Sequence, residues 1–282
     1  MVTLTETRSE HAIQARTVLV KAAGLFVTII CWMAARDAHL GKVATVLLIA
    51  GLPLLQFPIT VVGRRVLDAQ PVPKRAEWIS IFVHYAMMIV LGVSIFPAIR
   101  IAQERWQRYP HALLGIPPVI GQALVFLTGF LALLTVLNLA IRGLGAPFAA
   151  KLSSRLATDW MYAWTRNPMG FCTMLLLLSL GIRYQSLWFL LVVLLCLSPG
   201  WIFFVKHYEE RELEIRFGHS YLIYRARTPF LWPRKPRPER QMARCSPDVT
   251  RITSGGDTKH RHVAGLLPDW IRRTFWDAES GK

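Results

Sequence analysis

Charge is scarce in this chain: only 18% of its 282 residues are Asp, Glu, Lys or Arg, against about 25% in the usual soluble protein. Acidic residues are scarcer still, 17 against 33 basic ones, which leaves a net charge of +16. The deficit is concentrated in runs. Residues 43–63, 78–99, 112–141 and 184–205 hold no Asp, Glu, Lys or Arg, and 17–35 hold only Lys21. A bilayer core of about 30 Å takes roughly 20 helical residues to cross. These runs exclude a water-soluble fold, a collagen, a disulfide scaffold and a disordered chain. Cysteine is also sparse. Cys31, Cys172, Cys196 and Cys245 form no C-x-x-C pair and no Cys/His ligand spacing, and the first three fall in apolar runs as packing residues. Neither a zinc site nor a disulfide framework is expected. The chain shows no P-loop, metal motif or Ser/His/Asp order that would support another chemistry.

What is present reads as an all-α polytopic membrane bundle of about six spans, near 17–35, 43–62, 77–99, 116–141, 168–183 and 186–205. The uncharged run at the fifth, 167–182, has only 16 residues, a helical rise of about 24 Å. It is expected to tilt little, thin the bilayer, or let Arg183 snorkel. A short turn over 181–186 should join it to the sixth span as an antiparallel hairpin. The leader before the first run is mixed in charge and no small-x-small site follows, so the first run is expected to remain as a helix.

Orientation follows from the basic loops. Arg64, Arg65, Lys74 and Arg75 follow the second span, and Arg142, Lys151, Arg155 and Arg166 the fourth. The tail is basic too. Positive-inside places both termini and these loops in the cytoplasm, at the inner membrane if the source is bacterial. Arg100, Arg105 and Arg108 in the third connection run against that pattern without reversing it. Anionic lipid explains the net charge with fewer assumptions than nucleic acid, which is not expected as a partner despite the basic clusters at 234–237 and 259–262.

After the sixth span the helix is expected to continue over 206–217, supported by a Glu212–Arg216 pair at i,i+4 and ended by Gly218 as its C′ residue. Four regions result: N-terminal membrane helices (1–115), a membrane core (116–233), a basic flexible linker (234–262) and a short amphipathic helix (263–282). In the last, Leu266, Leu267, Trp270, Ile271 and Phe275 recur at helical spacing, which suits a membrane-surface helix or one docked on the protein.

Two segments carry candidate chemistry: Tyr162 to Met169, and Glu209 to Pro233. A tight hairpin between them brings Arg166, just before the fifth span, and Glu209-Glu210, just after the sixth, to the same side of the membrane. A cation then faces a pair of carboxylates at the lipid boundary, where ionised groups are paired or functional. Glu209 and Glu210 point about 100° apart on a helix, so one is free to meet a ligand while the other pairs with a loop Arg. Each feature also has a plain structural reading. Asn167-Pro168 is a good helix start, with Asn as N-cap and Pro at N1. Glu209, Glu210, Glu212 and Glu214 suit the solvated face of an emerging helix. Tyr221, Tyr224 and Trp232 suit interfacial anchors. His84, the one titratable group inside a span, suits a packed or hydrogen-bonded residue.

Taken together and in order, the segments resemble the membrane methyltransferases that include isoprenylcysteine carboxyl methyltransferases and phospholipid N-methyltransferases. Members show Tyr-x-x-x-Arg-(His/Asn)-Pro before a helical hairpin, then Glu-Glu-x-x-Leu, Phe-Gly-x-x-Tyr-x-x-Tyr and a closing Pro. The matching residues are Tyr162, Arg166, Asn167 and Pro168, then Glu209, Glu210, Leu213, Phe217, Gly218, Tyr221, Tyr224 and Pro229, with a family-like lead-in at 143–147. The resemblance covers about 120–233. Two departures stand out. The family often has Tyr two residues after the Pro and Gly two further on, where this chain has Gly170 and Cys172. It also commonly has a Gly ahead of the Tyr, where Trp160 and Met161 stand.

The resemblance implies S-adenosylmethionine as methyl donor and a pocket between the hairpin and the C-terminal helix. On that basis Arg166 holds a carboxylate and Glu209 or Glu210 an ammonium or ribose hydroxyls. Tyr221 and Tyr224 pack on adenine or order the loop, and Gly143 and Gly145 allow close backbone approach. With Tyr162, Asn167 and Pro168 these form the expected cofactor site, and Arg166 and Glu210 the catalytic pair. A carboxylate acceptor needs no base, whereas a protonated amine does, with Glu210 or His207 as candidates. The expected acceptor is lipophilic and enters laterally. Within the class the isoprenylcysteine carboxyl methyltransferase branch is favoured over lipid amine methylation. A small thiol, an unrelated lipid acid, and a non-catalytic scaffold with a degenerate methyltransferase fold are the alternatives.

Overall fold

The computed structural model describes residues 2–109, 115–142 and 156–235, with side chains from Thr17 onward in the first segment. All regular structure among them is helical, in the order α1 Val2–Asp37, α2 Lys42–Ala69, α3 Pro73–Arg108, α4 Pro118–Arg142, α5 Met161–Trp164, α6 Pro168–Arg183 and α7 Leu187–Arg227. Five helices are long and apolar enough to cross a membrane, and α6 is a shorter apolar helix. The protein is thus an all-helical integral membrane protein, and about six spans agree with its helices. Gly143, Gly145, the lead-in around them, the 236–262 part of the linker and the 263–282 helix lie outside the described residues.

Proline and capping chemistry sets many boundaries. Pro73 and Pro168 begin α3 and α6 at a position where the missing N–H costs nothing, after Val72 and Asn167. Two wide turns, Leu47–Gly51 and Val192–Leu197, stand just ahead of Pro53 and Pro199. A proline inside a helix removes the bond to the carbonyl four residues back and pushes on that turn, so the ladder opens there without ending. A third wide turn, Val205–Glu209, has no proline and sits where α7 reaches the candidate site.

The α6–α7 turn is tight, as the sequence predicts. The amides of Tyr184, Gln185 and Ser186 bond back to Leu180, Ile182 and Gly181 at 2.9, 3.1 and 2.9 Å. The buried Gln185 side chain ties the turn to Ile116 O at 2.9 Å. α6 lies against α4 so closely that a β-carbon at Gly121 would come within 2.6 Å of the Arg183 backbone. At the other end of the hairpin the core is built from Leu67, Met87, Phe204, Val205, Tyr208 and Ile215, which pack α7 against α2 and α3.

The helix after the sixth span does not stop at Gly218. It kinks there, at φ 51° and ψ −127°, and runs on to Arg227. A residue with a β-carbon is disfavoured in that left-handed region, so glycine permits the bend. Two helical pieces then pack at an angle, where the sequence suggested one helix followed by a loop. The Glu212–Arg216 pair forms as expected, at 2.7 Å, with both side chains almost fully buried.

Candidate functional site

Arg166 and Glu210 meet. The guanidinium Nη2 lies 2.9 Å from Glu210 Oε1, and the two side chains are only 11% and 14% exposed. Taking two ions out of water costs several kcal/mol per ion unless their other hydrogen-bonding groups are satisfied. Here they are not: Arg166 Nε and Nη1 are buried with no hydrogen-bond partner among the described residues. Arg166 is held in place from behind, with its amide donating to Pro229 O at 2.9 Å and its guanidinium 5.8 Å from the centre of the Phe230 ring.

The neighbouring carboxylate faces elsewhere. Glu209 Oε1 is 3.1 Å from His84 Nε2, and the other nitrogen of that ring lies 2.8 Å from Ser80 O. The wide turn at 205–209 and the helical offset separate the two glutamates, so Glu209 addresses α3 while Glu210 addresses the 160–167 loop. The solvated-face reading of this acidic run is therefore replaced. Glu212 is buried on Arg216, and only Glu214 joins a partly exposed surface network through Arg211, at 3.3 Å. His84 is the hydrogen-bonded group expected of a lone intramembrane histidine. His207 is exposed and its ring lies against Phe203, centroids 4.4 Å apart.

A strap formed by Thr228 to Arg234 fastens the loop that carries Arg166. Asn167 stands at the N-cap position, but its side chain does not cap α6. Instead its Nδ2 donates to Phe230 O at 2.8 Å, and the Thr165 hydroxyl donates to the same carbonyl at 3.2 Å. The Arg234 amide donates to Trp164 O at 3.0 Å. Tyr224, buried on the last part of α7, donates its hydroxyl to Tyr162 O at 2.8 Å. Tyr221 is buried beside it, ring centroids 6.3 Å apart. These two tyrosines are thus core residues, while Trp232 is the exposed one and meets Phe171 edge-on at 5.7 Å. Burial, reinforced by the nearby Glu209 charge, pushes the Tyr162 hydroxyl well above its ordinary range, so it stays protonated.

Two residues at the departures from the family pattern have clear structural settings. A β-carbon at Gly170 would fall 1.8 Å from Cζ2 of Trp201, so the indole of α7 occupies the space a side chain at 170 would take. Trp160 has φ 50° and ψ −119°, a conformation that suits glycine.

Of the residues grouped from the sequence, Tyr162, Arg166, Asn167, Pro168, Glu210, Tyr221 and Tyr224 gather about the 160–167 loop, whereas Glu209 turns to His84. Sequence reasoning missed Trp201 as the neighbour of Gly170, the Phe230 carbonyl as the anchor of Thr165 and Asn167, and His84 as the partner of Glu209. No local spacing signals any of these, because each partner comes from a distant element.

Residues 116–220 match the family model described as phospholipid methyltransferase. That stretch contains α4, α6, the Arg166 loop and α7 through Glu210 to the Gly218 kink, so the resemblance to the membrane methyltransferases extends over the segments that carry the motifs. Neither a curated protein nor a solved structure matches the chain.

Proposed function

We propose that this protein is an S-adenosylmethionine-dependent methyltransferase that acts at the membrane on a lipophilic acceptor. The observation that carries the reading is the buried Arg166–Glu210 pair with its unmet guanidinium donors. An amino-acid zwitterion complements such a pair. Its carboxylate accepts from one of the unmet Arg166 donors, Nε or Nη1, which lie on opposite edges of the guanidinium, and its ammonium donates to Glu210. The residues present therefore fit the donor's methionine portion. Bound there, it supplies an electrophilic methyl group for in-line displacement.

The chain's own contribution is positioning and exclusion of water. The strap and Tyr224 fix the Arg166 loop, which limits how far the cation moves. Reacting atoms must be held about 3–3.5 Å apart, and such orientation supplies much of the acceleration. The surrounding apolar core keeps the dielectric low and strengthens the charge contacts. Tyr162, protonated, is a hydrogen-bond donor to ligand oxygen and not a base. Gly143 and Gly145 are proposed to lie along the same ligand.

For the acceptor, an isoprenylcysteine-type carboxylate remains the first reading. It is ionised at neutral pH and asks nothing of the protein beyond placement. Lipid amine methylation is the second, favoured by the family match and by the Glu209 carboxylate, beside Glu210 and held 3.1 Å from His84. Both termini and the Arg166 loop are proposed to face the cytoplasm, where the donor is made available.

Calorimetric binding of S-adenosylmethionine to the detergent-purified protein tests the reading. Saturable binding that is lost in Arg166→Ala and Glu210→Ala is the expected result, followed by label transfer from the methyl group to one class of lipid acceptor. A folded wild-type protein that binds nothing in detergent and in nanodiscs overturns it in favour of a non-catalytic scaffold.

A further inference from the structure

Arg105 of the third connection, which runs against the orientation pattern, lines a cavity at the end of the bundle opposite Arg166. α6 separates the two ends by about 24 Å. The cavity, about 360 Å³, lies between the last turn of α3 and the α6–α7 turn, and its walls include Arg105, Trp106, Tyr184, Ser186 and Trp188. Gln185 in its wall is bonded to Ile116 O and Ile182 O, but other donors at the cavity are not matched. Ser186 Oγ and Trp188 Nε1 are buried with no hydrogen-bond partner among the described residues, and so is Nη1 of the adjoining Arg183. Ser186 is only 4% exposed. The Arg183 guanidinium is fixed at this wall by Gln122 Oε1 at 2.7 Å and by the rings of Trp106 and Tyr184, at 5.7 and 5.9 Å. Arg105 forms no ion pair with a described carboxylate, since the adjacent Glu104 is taken by Arg100 at 2.9 Å. Buried donors without acceptors are costly, and several converging on one space fit an anion.

A second cavity, about 320 Å³, continues from the first and shares Arg105 and Trp188 with it. Its walls are apolar, with Val46 and Ile49 of α2, Ile101 of α3 and Val192 of α7. Val46 is 63% exposed on the outer face of the bundle, where the slot meets lipid. A donor-lined chamber joined to an apolar slot at the membrane boundary has the two-part chemistry of a glycerophospholipid.

We propose that this end of the bundle binds a glycerophospholipid, with its phosphate held by Arg105, Ser186 Oγ and Trp188 Nε1 and one acyl chain in the α2–α3–α7 slot. The site is separate from the Arg166–Glu210 pair and does not depend on the methyltransferase reading. It also gives Arg105 a task on the face where positive-inside disfavours a cation.

The test uses the full chain in neutral detergent, stripped of native lipid. Dioleoyl phosphatidylglycerol is compared with monoolein, which lacks phosphate, and with inorganic phosphate, which lacks a chain. Intact-complex mass spectrometry and thermal melting read the result. The expected outcome is a one-to-one adduct and a raised melting temperature with phosphatidylglycerol alone. Trp188→Phe keeps the ring but removes the donor, and Arg105→Gln removes an exposed cation; each should weaken lipid binding by about tenfold, the loss expected for one charge-assisted hydrogen bond. Undiminished lipid binding in both variants overturns the proposal. So does an equal shift with monoolein, which marks a plain apolar slot, or with inorganic phosphate, which marks a free-anion site.

Discussion

Gly170 and Trp201 share one volume: a β-carbon on the first would lie 1.8 Å from the ring of the second. The aromatic group on this side of the hairpin comes from α7. The departure at 170 is thus matched by a bulky ring from the neighbouring helix. Gly170→Tyr is expected to lower stability by about 1–3 kcal/mol, as overpacking does. Adding Trp201→Ala should recover most of that loss. Thermal melting of the two single variants and the double variant measures the coupling, and strictly additive effects would contradict the shared volume.

Arg166 offers a planar fork, and lysine offers a point charge. Arg166→Lys preserves the charge opposite Glu210 but not the further donors at Nε and Nη1. Affinity for S-adenosylmethionine should fall by about tenfold or more with little change in melting temperature. Calorimetry on the variant checks this, and unchanged affinity would remove Arg166 from the cofactor site.

The Tyr224 hydroxyl secures the carbonyl of Tyr162 at 2.8 Å. Tyr224→Phe should cost about 1 kcal/mol locally. Hydrogen exchange should quicken at Thr165 and Arg166, whose amides bond to Met161 O and Pro229 O, while the exchange of α4 and α6 stays as it was. Slow exchange throughout the loop would assign its fixing to the strap alone.

Trp160 holds a positive φ without being glycine. Such a residue costs on the order of 1 kcal/mol or more. Trp160→Gly is expected to raise the melting temperature, because the ring is 57% exposed and contributes little burial. A lower melting temperature would show that the contacts of the indole outweigh the backbone strain.

By itself the sequence determined the membrane class, the positions of the spans and the hairpin over 181–186. These depend on local quantities, namely uncharged runs of bilayer length and turn chemistry. The ordered motifs also carried the resemblance that the family model matches over 116–220, because Arg166-Asn167-Pro168 and Glu209-Glu210 keep their spacing across a hairpin whose closure is local. The tertiary structure decided which glutamate meets which partner, that Tyr221 and Tyr224 are buried, that Asn167 tethers a strap instead of capping a helix, and that Gly218 bends α7 without ending it. It also placed Trp201 against Gly170. Each of these depends on elements far apart in the chain, and on the phase of a helix that a wide turn at 205–209 resets. Helical periodicity fixes faces only while the ladder is regular, so pairings beyond such a turn are settled by packing alone.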